Sequence, residues 1–481
     1  MESRNPLDAF FYPSSVAVVP VPPDGAGQLA AGRRYLDYLL DYSYRGSVYP
    51  INRKGGQASG LEMHTSLQDV PGPVDLVISC IPAAGVTGLI EECADKEARA
   101  VILHTAGFSE TGRPEGRQLE AEAVRLARAA GIRMVGPNCM GVYCPRSGLT
   151  FAYDFPRDPG PVALICQSGS NALFPVRAAA ERGVRYSKVV SYGNACDVDE
   201  SDLLGYLAKD EDTGVVAAYI EGVKDGRRFL DTLSMVSAAK PVIVLKAGST
   251  GAGVRAAASH TGSMAGSEVV WGAALSQAGA LRVHSLDEMV DMMASFQFLR
   301  PPKGRRVAIF GVGGGASVLA TDDVSAAGFS VPPLPDEIRQ QLRAAIASDA
   351  GTMLDNPIDY PFWTLPQDAY CDILRTVLEW EDIDSLLFLA PLRHTELSLE
   401  TYLPMLDWQF DSLIRVAPGS SKPVAVVLNY LASGESWRAA VSLKEKCSAG
   451  GLPVYHSVAS AATALARLAD YHAGTPAQAV R

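Results

Sequence analysis

Residues 162–184 read VALICQSGSNALFPVRAAAERGV, and residues 307–329 read VAIFGVGGGASVLATDDVSAAGF. Each begins with a short β-branched, apolar run and passes through a glycine-containing turn. Each then continues with apolar residues at helical spacing until a glycine stops it. That order is strand, turn, helix, the opening of a βαβ unit. The same kind of strand recurs in SVAVVPV (15–21), VDLVISCI (74–81), RAVILHT (99–105), VVAAYI (215–220), KPVIVLKAG (240–248), SLLFLAPL (385–392) and KPVAVVLNY (422–430). Strands that are apolar throughout and alternate with helices predict parallel sheets covered on both faces. The likeness of 240–248 to 422–430 extends the repeat begun by 162–184 and 307–329. One α/β architecture is therefore predicted twice, after a different N-terminal one and with insertions in the second copy. YCPRSGLTFAYDFPRDPG and RPPKG read as connecting loops. They predict three domains, 1–148, 149–300 and 301–481.

The chain has 481 residues, 48% of them apolar and 20% charged, with a formal net charge of −11. It is long enough for several domains with cores of their own. The acidic balance argues against nucleic acid or an anionic membrane as the main partner. No window approaches 18 uninterrupted apolar residues, and MESRNPLDAF lacks the apolar segment of a signal peptide. The eight cysteines include no CxxC pair, and several lie in apolar strands. Reduced thiols in the cytoplasm, and no metal site, are expected.

Four places could carry chemistry. In LICQSGSNALF a strand runs into Ser168, Gly169 and Ser170 and then a helix. Either serine can cap that helix, whose free N–H groups suit an anion. Glu221 ends a strand in AAYIEGVKDGRRF, where open α/β sheets place their sites; it can orient an imidazole, or simply pair with Lys224 or Arg227. His260 stands in RAAASHTGSMAGS, whose side chains are too small to build a core. Small residues let backbone approach a ligand closely, although a solvated loop histidine would look the same. In the N-terminal third, YPINRKGG offers Lys54 near a strand end and VGPNCMG offers Asn138 in a tight turn.

Taken in order, YPINRKG, PVDLVISCIPA, HTAGFSETG, GIRMVGPNCMGV, ALICQSGS, the run from SYGNACDVDESDLL to YIEGVKDGRRFL, KPVIVLKAG and AASHTGSMAGS cover roughly residues 8–290. Together they resemble the α-subunit half of the nucleoside-diphosphate-forming acyl-CoA synthetases, relatives of succinyl-CoA synthetase. RVAIFGVGGGASVLATDDVSAAG is similar to the third domain that family adds. The resemblance implies a Rossmann-like CoA-binding domain followed by two flavodoxin-like domains. It implies that His260 carries a phosphoryl group between acyl phosphate and nucleoside diphosphate, that Glu221 orients it, and that Ser168, Gly169 and Ser170 cradle the phosphate. Coenzyme A is expected along the N-terminal strand ends, with Lys54 near a phosphate, Ile81, Pro82 and Ala83 as an apolar wall, and Asn138 in its turn. The family's first strand ends in glycine, as in VIGAS; here it ends VVPVP. ATP or ADP with Mg2+ is expected on an ATP-grasp β-subunit, a separate chain, since 481 residues leave no room for one. A small carboxylic acid or its acyl-CoA is the expected substrate. The alternatives are a nucleotide-independent CoA or acyl transferase and a non-catalytic CoA-binding sensor or scaffold.

Overall fold

The computed structural model describes residues 5–27, 29–253, 255, 267–311, 313–346, 352–359, 365–392, 398–429 and 434–474. The chain divides into two compact units, Met1–Arg177 with Arg185–Met289, and Ala178–Val184 with Val290–Arg481.

The first unit holds two sheets. The N-terminal one is parallel and five-stranded, built from β1 (Ser15–Val19), β2 (Ser47–Pro50), β5 (Leu76–Ser79), β6 (Ala100–Leu103) and β7 (Arg133–Val135) in the order β2-β1-β5-β6-β7. A small hairpin, β3 (Gln57–Ala58) and β4 (Leu61–Glu62), lies outside it. Helices α1 (Asp8–Phe11), α2 (Ala31–Asp41), α3 (Val86–Asp95) and α4 (Pro114–Ala129) accompany these strands. Every residue of β1, β5 and β6 is buried, which is why those runs carry no polar alternation. This is the Rossmann-like layer expected at the N-terminus.

The second sheet runs β13-β12-β11-β9-β10-β8. Its strands are β8 (Gly141–Tyr143), β9 (Pro159–Cys166), β10 (Tyr186–Ser191), β11 (Val215–Ile220), β12 (Val242–Lys246) and β13 (Leu281–Val283). Helices α5 (Gly169–Ala180), α6 (Glu200–Lys209) and α7 (Gly226–Ala239) follow β9, β10 and β11. All neighbours pair in parallel except β8, which is antiparallel to β10 through Val189↔Tyr143 and Val190↔Val142.

The second unit holds the third sheet, β15-β16-β14-β17-β18-β19, from β14 (Val307–Gly311), β15 (Met353–Leu354), β16 (Ile358–Asp359), β17 (Ser385–Pro391), β18 (Val424–Asn429) and β19 (Val454–Tyr455). Matching β9 with β14, β11 with β17, β12 with β18 and β13 with β19 makes its order that of the second sheet. Even the antiparallel edge strand recurs, as β8 on β10 and as β15 on β16. The copies differ in where that edge comes from. β8 precedes β9 in the chain, whereas β15 and β16 come after β14.

β10 escapes a hydropathy reading because Lys188 interrupts it. That lysine is 1% exposed. Its ammonium pairs with Asp210 at 2.7 Å and lies 5.2–5.9 Å from the ring centres of Phe11, Tyr12 and Tyr206. A buried cation persists when it is paired and faced by aromatic rings. The cage also fastens α1, which contributes Phe11, to β10 and α6. Among the described residues no helix is long and apolar enough to cross a membrane. All eight cysteines are free.

Candidate functional site

Parallel strands deliver their following loops to one edge of the sheet, where α/β folds hold ligands. On the second sheet β9 passes through Gln167 and Ser168 directly into α5. The Ser168 hydroxyl accepts from the backbone N–H of Asn171 at 3.4 Å and lies 3.3 Å from the Ser170 hydroxyl. Ser168 is therefore the cap and Ser170 sits within the first turn. Gly169 is not among the left-handed glycines. Its requirement is room: a Cβ there would lie 3.0 Å from Met140 Cγ.

Glu221 follows β11 on the same edge and is 4% exposed. The Gln167 side chain holds its backbone, with Oε1 accepting from the N–H of Glu221 at 2.7 Å and of Gly222 at 3.1 Å. Tyr219 stands two residues back on the same face of the strand, beside the Glu221 charge. The Tyr219 hydroxyl also accepts from Asn171 Nδ2 at 2.9 Å. Burial, then the Glu221 charge, push the Tyr219 phenol up to about 12. The local pairings conceivable from sequence are not those observed. Lys224 donates to the Ala195 carbonyl at 2.8 Å and Arg227 pairs with Asp231 at 3.1 Å. A cationic group comes instead from β12. Lys246 is 4% exposed, 5.2 Å from the Trp271 ring centre, and donates to the Ala247 carbonyl. Burial lowers its pKa against the opposing charges of Glu268 and Glu221.

The carboxyl edge of the first sheet meets this one through the turn after β7. Asn138 has φ +57 and its N–H bonds the Thr105 carbonyl at 3.0 Å. The Pro137 carbonyl accepts from Asn194 N at 3.0 Å and the Gly136 carbonyl from Cys196 N at 3.0 Å. Gly193 is needed here twice over: its φ is +56, and a Cβ would lie 2.1 Å from the Pro137 oxygen. Met140 completes the junction, donating its N–H to the Ser191 hydroxyl at 3.0 Å and accepting from the Tyr35 hydroxyl at 2.7 Å. Asn194 also reaches Glu110 at 2.5 Å and Glu120 at 3.0 Å.

Ile81, Pro82 and Ala83 follow β5 and are partly or fully exposed. The Ile81 carbonyl accepts from the Thr105 hydroxyl at 2.6 Å, and Ala83 Cβ stands 3.2 Å from a Cβ built on Gly107. Lys54 is exposed in the turn after β2, its N–H bonded to Asn52 Oδ1 at 3.0 Å. A second cation was hidden in GRRYL. Arg33 is tied to Asp24 at 2.7 Å and Asp37 at 3.0 Å. Arg34 instead keeps a buried Nε without a hydrogen-bond partner and acts electrostatically on Cys80 and His104 at the ends of β5 and β6. A phosphate ester would satisfy it. Nothing in the motif distinguishes the two arginines; only their neighbours do. His260 lies outside the described residues. Among the described residues no three His, Cys, Asp or Glu side chains are grouped to hold a metal.

The architecture is that of known protein families. A family model described as a CoA binding domain matches residues 24–145, and one described as a succinyl-CoA ligase like flavodoxin domain matches residues 159–296. The α subunit of acetate–CoA ligase [ADP-forming] II from Pyrococcus furiosus is 34% identical over 468 residues, covering 96% of this chain and 98% of its own. The acetate–CoA ligase [ADP-forming] of Methanocaldococcus jannaschii is 36% identical over 354 residues, 72% of this chain but 48% of its own. Among solved structures, the dinucleotide forming acetyl-coenzyme A synthetase 1 of Ca. Korarchaeum cryptofilum, in complex with phosphate and ADP, has a TM-score of 0.82 at 33% identity and covers 97% of both chains. The chain belongs to the family of α subunits of ADP-forming acid–CoA ligases, which are nucleoside-diphosphate-forming acyl-CoA synthetases. The transferase and sensor alternatives find no support in these relatives.

Proposed function

We propose that this chain joins a small carboxylic acid to CoA through an acyl phosphate, with His260 as the phosphoryl carrier. The observation that carries the reading is the buried Glu221, clamped by Gln167 on the edge where α5 begins. A fixed carboxylate beside a helix N-terminus suits a histidine that alternates between neutral and phosphorylated forms. In the direction of synthesis a carboxylate oxygen of the acid attacks phosphorus and the P–N bond to His260 breaks, returning the imidazole. The CoA sulfur then attacks the acyl carbon, the C–O bond to phosphate breaks, and the thiol proton leaves with the phosphate. Glu221 holds the ring N–H that faces away from phosphorus. Ser168, Gly169 and Ser170 offer the helix N-terminus to the phosphoryl oxygens. Lys54, Asn138, Ile81, Pro82 and Ala83 line the CoA path on the first sheet, with Arg34 added to the cations. Coenzyme A is the substrate of that sheet. ATP, ADP and Mg2+ belong to a separate ATP-grasp β-subunit, and the reaction runs in the cytoplasm. The proposed domains are 1–148, 149–300 and 301–481, with β8 reaching across the first boundary to pair with β10.

With that partner and ATP, the wild-type chain should take up acid-labile phosphate and His260→Asn should take up none. Glu221→Gln keeps an acceptor but loses charge, and its phosphorylation rate should fall by about 10²–10⁴-fold, the usual range for a general acid–base group. Full labelling of His260→Asn, measured by intact mass, overturns the reading.

A further inference from the structure

We propose that His104 is the base that takes the thiol proton of CoA when the thioester forms. The inference rests on the acyl-phosphate reading and supplies a step that the reading leaves without a residue. That reading places CoA along the carboxyl edge of the first sheet and the acyl phosphate at the start of α5. The thiol then loses its proton where the two meet. His104 follows β6 on that edge, its N–H bonded to the Ser79 carbonyl at 3.0 Å. Its ring is joined to the turn after β7, with Nδ1 2.9 Å from the Cys139 carbonyl and 3.1 Å from the Tyr35 hydroxyl. The Tyr35 hydroxyl bonds the Met140 carbonyl at 2.7 Å, and Met140 Cγ lies 3.0 Å from a Cβ built on Gly169. Hydrogen bonds and one packing contact thus lead from the imidazole to the phosphate turn.

The donor count fixes the tautomer. A carbonyl oxygen only accepts, so Nδ1 carries the proton that faces Cys139. The single phenol proton of Tyr35 goes to the Met140 carbonyl, which leaves the phenol oxygen to share the Nδ1 proton. Nε2 is then a lone pair in the neutral ring, and both bonds of the ring to described residues are made by Nδ1. The residue is half-buried. Burial lowers its pKa most, the Cys139 bond opposes, and the Arg34 charge lowers it further. The other titratable groups about it are uncharged: burial pushes the thiols of Cys80 and Cys139 up to about 12 and the Tyr35 phenol well above its ordinary value. A neutral imidazole with its donor side occupied and its acceptor side open is the form a base requires. As the sulfur attacks the acyl carbon, Nε2 takes the S–H proton and the C–O bond to phosphate breaks. The imidazolium returns that proton to the departing phosphate. The ring ends neutral and no further reactant is needed.

The test uses the full chain with its ATP-grasp partner and follows the steps separately. His104→Asn keeps an amide N–H for the Cys139 carbonyl and removes Nε2. Phosphorylation of His260 by ATP, and formation of acetyl phosphate from acetate without CoA, should match wild type. Conversion of acetyl phosphate and CoA to acetyl-CoA should fall by about 10²–10⁴-fold, the range for a general acid–base group, with CoA affinity in calorimetry unchanged. The pH profile separates a base from a structural ring. Between about pH 6.5 and 8 the wild-type rate of this step should be level, because His104 is neutral throughout. The variant's rate should rise roughly tenfold per pH unit, following the thiolate of CoA, since an ordinary thiol ionises near about 8.5. His104→Gln gives the same readout should His104→Asn fail to fold. A His104 variant with the wild-type thioester rate, or a loss of equal size at every pH, overturns the proposal and leaves the acyl-phosphate reading standing. A wild-type chain that makes no acetyl-CoA from acetyl phosphate overturns that reading itself.

Discussion

Among single residues, Glu200 shows how the edge that carries Glu221 costs stability. It is the first residue of α6, 2% exposed, and burial raises its carboxyl to about 7, with the neighbouring Asp199 charge adding and its own backbone N–H opposing. The folded pKa lies above the ordinary 4.5. The folded chain therefore holds this proton more tightly than the unfolded chain does. Its contribution to stability is full below pH 4.5 and is lost as pH rises through 7. Glu200→Gln should leave the melting temperature unchanged near pH 4.5 and raise stability at pH 8 by on the order of 2–3 kcal/mol. Equal effects at the two pH values would contradict this. Legibility at this scale followed chemistry. Glu221 and the 168–170 turn could be picked out because a carboxylate at a strand end and a serine–glycine turn are conspicuous. Gln167, Asn171 and Tyr219 were not, because each is an ordinary strand or helix residue until the register of β11 against α5 brings them together. Arg34 was hidden beside Arg33 for the same reason.

Among elements, the junction of α5 with the turn after β7 decides what Gly169 can become. A Cβ at 169 would lie 3.0 Å from Met140 Cγ, and a valine would press further on a side chain whose own backbone is pinned to Ser191 and Tyr35. Gly169→Val should therefore abolish phosphoryl transfer while CoA binding at the first sheet survives in calorimetry. The conflict is with a side chain, not with backbone. Met140→Ala should restore part of the lost activity, and a double variant no better than Gly169→Val would rule out this cause. The apolar strands were read correctly because burial on both faces leaves an unbroken hydrophobic run. β10 was missed because of Lys188, and β8, β13, β15, β16 and β19 because two or three residues give no period to detect. The duplication was visible in two motif pairs. The identity of strand order was not, since β8 enters before its sheet's first parallel strand and β15 after.

For the whole molecule, a boundary at 148 cuts across the second sheet. β8 lies before it and pairs with β10 beyond it. Tyr143, wholly buried, and the carbonyls of Gly136 and Pro137 find their partners among residues 186–196. A chain cut at 148 should lose those contacts, aggregate, and give no heat with CoA, whereas the full chain should bind. A soluble 1–148 fragment with wild-type affinity would make the first sheet autonomous. The lysine cage on β10 bears on a different hazard. Acyl phosphates and acyl-CoA thioesters acylate free amines without any enzyme, so a protein that makes them lives in its own reagent. Lys54, exposed near the proposed CoA path, is open to that damage. Lys188, paired with Asp210 and walled in by three rings, is not. This lysine in the middle of β10 is thereby protected from acylation.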